Sequence, residues 1–192
     1  MLASALSPWH RTRRFMVELI YAHPYPTRSR ANRLLLDAVR HVPGVHVRML
    51  YQLYPEFAID VEAEQRRLEA ADAIVWQHPL YWYSVPPLLK LWFDKVLALG
   101  WAYGQGGTAL QGKRCQWVVT TGGDPPSYGA QGIHNHPFET FVPPVEQTAR
   151  FCGMHWQPPF VLHGAQRVSD ELLQGAAARY RALLIALETG HA

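Results

Sequence analysis

From Met16 onward, short apolar runs alternate with amphipathic stretches, the pattern of βαβ units wound into a parallel sheet. Five strands are predicted, at residues 17–22, 45–51, 73–77, 116–121 and 154–162. The first and fourth are near-continuous runs of β-branched, long aliphatic or aromatic residues, as strands covered on both faces require. Pro158-Pro159 weakens the middle of the fifth, because proline brings no donor to a ladder. Between the strands, residues 29–41 carry Leu34, Leu35, Ala38 and Val39 at helical spacing and stop at Pro43-Gly44. Further helices are predicted at 61–71, at 86–99 with proline in the first turn, and at 169–188, opened by Ser-Asp-Glu.

Right-handed crossovers and short connections leave two common arrangements for such a chain: a six-stranded dinucleotide-binding sheet, or a five-stranded sheet of order 2-1-3-4-5. Five strands favour the second, a flavodoxin-like doubly wound α/β fold with helices on both faces. In either arrangement, ligands sit beyond the carboxyl ends of the strands, where the strand order reverses. The loops after strands one, three and four are therefore where chemistry is expected.

Length and composition narrow the classes. A chain of 192 residues, with 48% hydrophobic and 17% charged residues, suits one packed globular domain over 16–192. Residues 1–15 read as a flexible extension ahead of it, since the apolar stretch after Arg13-Arg14 is too short and too charged for an export signal. The formal charge of +3 gathers early, in Arg11, Arg13, Arg14, Arg28, Arg30, Arg33 and Arg40. No recognition motif accompanies it, which argues against nucleic acid and for a small anionic ligand near the N-terminus. Two cysteines, Cys115 and Cys152, lack zinc or redox spacing and suit a reducing cytoplasm. The longest apolar run, 88–101, is interrupted by Lys90, Asp94 and Lys95, so a soluble protein is expected.

Three loops carry candidate chemistry. In the first, residues 23–32, the start of a helix offers unpaired N–H groups and a positive dipole end to a phosphate, with Ser29 and His23 as side-chain donors. No G-x-G-x-x-G is present, which suits a mononucleotide better than a dinucleotide. The second, Pro79 to Pro87, holds the consecutive aromatics Tyr81, Trp82 and Tyr83. They cannot all enter one core, so a flat ligand such as an isoalloxazine edge, or a subunit interface, is expected there. In the third, after strand four, Gly122-Gly123 permits close approach of a planar ring, and Tyr128 and His134 are candidate donors to charge developing on a reduced species. His134-Asn-His136 lacks a third ligand at usual spacing, so no metal is expected.

The runs YAHPYP (21–26), LYQLYPEFAID (50–60), WQHPLYWYSVPPLLKLWFDKV (76–96), GWAYG (100–104) and TTGG (120–123) resemble the NAD(P)H:quinone oxidoreductase, or DT-diaphorase, family. Within it they are most similar to the ancillary flavoproteins of bacterial glutathione-gated (Kef-type) potassium-efflux systems. The resemblance implies a homodimer that binds FMN, or FAD as in the diaphorases, and oxidises NAD(P)H to reduce quinones or similar electrophiles. It places His23, Ser29, Arg30 and Ala31 at the phosphate. Pro79, Leu80, Tyr81, Trp82, Tyr83, Thr120, Thr121, Gly122 and Gly123 would lie at the ring. The run Y-x-x-Q-G-I-H sets Tyr128 and His134 beside the flavin, and Tyr103 is the aromatic that a partner subunit would lend to the substrate pocket. The same resemblance implies a rival role, as a regulatory subunit activating a membrane potassium-efflux antiporter and so peripheral to the inner membrane. A flavodoxin-like one-electron carrier is the third reading.

Overall fold

The computed structural model describes residues 14–189, so all but Arg14 and Phe15 of the expected N-terminal extension lies outside the described residues. All strand pairings are parallel. β1 (Val17–Tyr21) lies between β2 (Val45–Met49) and β3 (Ala73–Pro79), and β4 (Arg114–Thr120) follows β3. β5 (His155–Trp156) and β6 (Phe160–Leu162) both pair with β4. The strand order is therefore 2-1-3-4-5, with the last position shared by two short strands. This is the flavodoxin-like doubly wound sheet.

Alternation along each strand divides the core. Val17, Leu19, Tyr21, Val75 and Val118 pack with α1 (Arg30–Val39) and α6 (Asp170–Thr189). Ile20, Ile74, Trp76 and Trp117 turn to the other face, toward α3 (Val61–Ala70) and α4 (Pro87–Val96). The polar starts of the helices are used as caps. Ser29 accepts from Asn32 N (3.2 Å), Asp60 from Ala63 N (2.9 Å) and Ser169 from Leu172 N (3.2 Å), each cap stabilising by about 1 kcal/mol.

Three departures from the sequence-based expectation go beyond a shift of an element's end by a few residues or have a nameable cause. Strand two ends at Met49 rather than at 51, because Leu50–Leu53 coils into a single helical turn, α2, closed by Tyr54 N to Leu50 O (2.8 Å). That turn buries Leu50 and brings the Tyr51 hydroxyl to accept from Leu88 N at the start of α4 (3.3 Å). The fifth strand is split where Pro158-Pro159 interrupts it, and the buried Gln116 side chain bonds the stranded carbonyl of Pro158 (2.9 Å). Finally, Pro143–Phe151 forms a helix, α5, that the strand-centred reading passed over, with Val145, Ala149 and Cys152 buried along one face.

One buried acid opposes the fold at high pH. Glu18 is 1% exposed on the β1 face toward α3, with Arg67 Nε at 3.7 Å and His46 Nδ1 at 4.0 Å, and its Oε2 has no hydrogen-bond partner among the described residues. Burial lifts its carboxyl from 4.5 to about 7, outweighing the opposing pull of Arg67 and Arg48. The folded state thus holds a proton that the unfolded chain releases, and stability falls as pH rises from 4.5 toward 7. Glu18→Gln is expected to stabilise the chain by about 2–3 kcal/mol at pH 8 and by little near pH 4.5, read from thermal melts across that range.

Candidate functional site

The carboxyl ends of β1, β3 and β4 open into a cavity of about 500 Å³. Around it stand His23 and Ser29 from the first loop with Arg30 and Ala31 at the start of α1, Pro79, Leu80 and Tyr81 at the end of β3, and Thr120, Thr121 and Gly122 at the end of β4. A second cavity of about 250 Å³ is bounded by Leu80, Trp82, Tyr83, Gly122, Gly123, Tyr128 and His134. Leu80 and Gly122 belong to both, so the two hollows meet across these residues. The three loops singled out in the sequence therefore converge.

At the first hollow the chain turns through Pro26–Arg28 into α1, which points its N-terminus at the cavity. Asn32 N is taken by the Ser29 side chain, whose oxygen accepts and so leaves its own hydroxyl hydrogen to give. The first-turn N–H groups of Arg30 and Ala31 and the helix dipole complete a setting for an anion. His23 Nδ1 accepts from Tyr25 N (3.0 Å), which places the proton of the neutral ring on Nε2 as a further donor. Burial lowers its pKa and favours that neutral form. Arg30 contributes its backbone here, because its guanidinium is held elsewhere, by Val168 O (2.7 Å) and by Asp170.

After β3, Tyr81 and Ser84 exchange both backbone hydrogen bonds (3.0 and 2.9 Å) across a two-residue turn. Its central residues, Trp82 and Tyr83, have φ of 47° and 62°, the mirror-image turn geometry that glycine or asparagine ordinarily supplies. Holding two aromatics there costs about 1–3 kcal/mol each. The result is Trp82 standing 93% exposed beside the second hollow, which answers the question of three aromatics that could not share one core. The Leu80 and Tyr81 N–H groups are consumed by Thr120 O (2.7 Å) and Ser84 O, whereas those of Trp82 and Tyr83 take no part in the turn's own bonds.

The two glycines after β4 have different reasons to be glycine. Gly122 lines both hollows, and a Cβ on it would meet nothing within 4 Å among the described residues. A Cβ on Gly123 would stand 2.8 Å from His134 Nε2 and 3.2 Å from Tyr128 Cε2. Above Gly123 the Tyr128 and His134 rings stack, with centroids 4.4 Å apart, and the Tyr83 hydroxyl lies 3.3 Å from His134 Nδ1. His134 Nε2 is buried with no hydrogen-bond partner among the described residues. Burial pushes the Tyr128 phenol upward, so it stays a proton donor near neutral pH. Gly123→Ala is expected to lower the melting temperature by several degrees, whereas Gly122→Ala leaves it within about 2 °C and instead occludes the cavity.

Tyr103 is not brought to this site within the chain. It lines a separate groove with Lys90, Phe93, Asp94 and Phe151, its ring 5.0 Å from that of Phe151. Conversely, the sequence reading missed Tyr25 and Arg28 in the first hollow, and the whole turn after β6, which supplies Ala165 and Gln166. The predicted fifth strand ends at residue 162, as β6 does, so the rule that ligands gather at strand ends extends to that turn, but the expectation covered only the loops after strands one, three and four. Among the described residues no group of His, Cys, Asp or Glu is disposed to hold a metal ion, and no helix is long and apolar enough to cross a membrane.

The sheet that carries these hollows is flavodoxin-like. The family described as having a flavodoxin-like fold matches residues 17–184, and this chain belongs to it. Among solved structures, it is 42% identical to one named as a thermophilic tryptophan halogenase from Streptomycin violaceusniger, over 86% of this chain and 96% of that one, with a TM-score of 0.82. It is 39% identical to general stress protein 14 of Treponema denticola in complex with FMN, over 90% and 99% of the two chains, with a TM-score of 0.83. An NADPH-quinone reductase from P. pentosaceus is 28% identical over 88% and 97%, with a TM-score of 0.80.

Proposed function

We propose that the paired hollows hold FMN and that the chain is a flavin-dependent NAD(P)H:quinone-type oxidoreductase. The observation that carries this reading is the junction at Gly122, where an anion site at a helix N-terminus runs into an aromatic-walled slot with open space at the missing Cβ. The residues present fit the group. Ser29 and the first-turn N–H groups of α1 would take the phosphate, Leu80 and Gly122 would flank the ring system, and the Trp82-Tyr83 turn would close its edge. The FMN complex of the Treponema denticola protein and the quinone-reductase name of the P. pentosaceus protein support the same assignment.

Bound flavin supplies hydride acceptance from NAD(P)H and transfer of two electrons to an acceptor. The protein's share is position and charge. Tyr128, a phenol that is protonated near neutral pH and that burial shifts further up, gives a hydrogen bond to negative charge that develops beside it, and His134 is held against it by stacking and by the Tyr83 hydroxyl. Homodimerisation belongs to this reading, with Tyr103 serving the pocket of a partner subunit rather than its own. Steady-state assays of the FMN-loaded chain should show NADH or NADPH oxidation that depends on added quinone. Rates no greater than those of free FMN would remove the enzymatic reading while leaving the flavin site standing.

A further inference from the structure

The turn after β6 is sewn to the turn after β4. Thr121 N donates to Leu162 O (2.9 Å), Ala165 N to Thr121 O (2.9 Å) and Gly164 N to Gly123 O (2.8 Å). A side-chain stitch joins these. The buried Thr121 hydroxyl donates to Gly123 O (2.7 Å), and its oxygen lies 2.9 Å from His163 Nδ1. Since Thr121 has spent its one hydrogen on Gly123 O, the second contact requires the proton on His163 Nδ1, and the imidazole is the donor. The His163 ring also lies 5.2 Å from Tyr128 and 5.2 Å from Phe138, edge-on to the latter.

From this geometry we infer that His163 is a positioning residue for the flavin pocket, acting through Thr121 to hold the Gly122-Gly123 turn that faces the ring. The inference rests on the flavin reading above. Its physical content is a short chain of constraint. His163 fixes the Thr121 hydroxyl, the hydroxyl and Gly164 N together fix Gly123 O, and Gly123 is the surface on which Tyr128 and His134 rest. Without the imidazole donor the Thr121 hydroxyl can turn from Gly123 O, and the turn loses one of its two anchors at that carbonyl. The Nδ1–H is present in neutral and protonated imidazole alike, so the anchor does not depend on pH.

The test uses the full chain and FMN itself, with binding read by quenching of flavin fluorescence. His163→Phe keeps the ring and removes the donor, and is expected to weaken FMN binding about fivefold to tenfold. His163→Asn sets an amide N–H where Nδ1 stood and should return affinity to within about twofold of the native chain. In a Thr121→Val background, His163→Phe should add nothing further, because the bond it breaks is already gone. Thermal melts identify any variant that fails to fold. If His163→Phe is such a variant, Thr121→Ser against Thr121→Val reads the same bond. Native affinity in His163→Phe, equal loss in both His163 variants, or additive losses with Thr121→Val would each overturn the inference. A native chain that takes up no FMN overturns the flavin reading and this inference with it.

Discussion

Ser29→Asp is expected to leave the fold intact and to weaken FMN binding by about 10²–10³-fold. Aspartate caps a helix as well as serine does, so the bond to Asn32 N and the stability of α1 should persist. What changes is charge at the mouth of the first hollow. A carboxylate about 4 Å from a phosphate, in surroundings of effective dielectric near 20, opposes it by up to about 4 kcal/mol, and it also neutralises the helix dipole that draws the anion in. Even half that penalty dominates the roughly 1 kcal/mol attributable to loss of the serine O–H donor. Ser29→Asn, a neutral cap, separates the two and should cost no more than about tenfold. Far-UV melts and a flavin titration on the three chains decide the matter. Unaltered FMN affinity in Ser29→Asp would place the phosphate away from α1.

The second large effect concerns turnover. Replacing Tyr128 by Phe and His134 by Asn together should lower kcat for quinone reduction by about 10²–10³-fold while FMN stays bound. Phe keeps the ring that packs on His163 and Phe138 but removes the phenolic donor. Asn removes the second donor and the partner of the Tyr83 hydroxyl while remaining small enough to spare Gly123. Affinity for FMN should move only severalfold, since neither residue lines the anion end. Unchanged steady-state reduction would take both out of the mechanism. If the doubly substituted chain still activated a potassium-efflux antiporter, regulation and reduction would be separate properties of one fold.

The legibility of these features followed the range of the forces involved. Helix α1 and its start were readable because Ser29 and the helical spacing of Leu34, Leu35, Ala38 and Val39 are local signals, although the stripe that is buried runs through Leu35, Leu36 and Val39. The strand order was readable because five apolar runs and right-handed crossovers leave few alternatives. The convergence of three loops then followed from topology alone. What could not be read was set by distant contacts. Leu50 leaves the strand because a buried site awaits it and because Tyr51 can bond the start of α4, neither of which is visible in the run itself. The guanidinium of Arg30 turns toward residues 138 and 140 positions away rather than into the cavity, so its type and spacing misdirect. Helix α5 was readable in principle from Pro143 at its first position and the spacing of Val145, Ala149 and Cys152. The distinction between Gly122 and Gly123, one open and one crowded, appears only when their neighbours are in place.

The most direct measurement is the visible absorption of the purified chain, followed by titration with FMN and mass identification of whatever chromophore is released. The structure predicts a yellow protein that binds one FMN per chain, with affinity abolished or strongly reduced in Ser29→Asp. A colourless chain that leaves both FMN and FAD free in solution at micromolar concentration would contradict it.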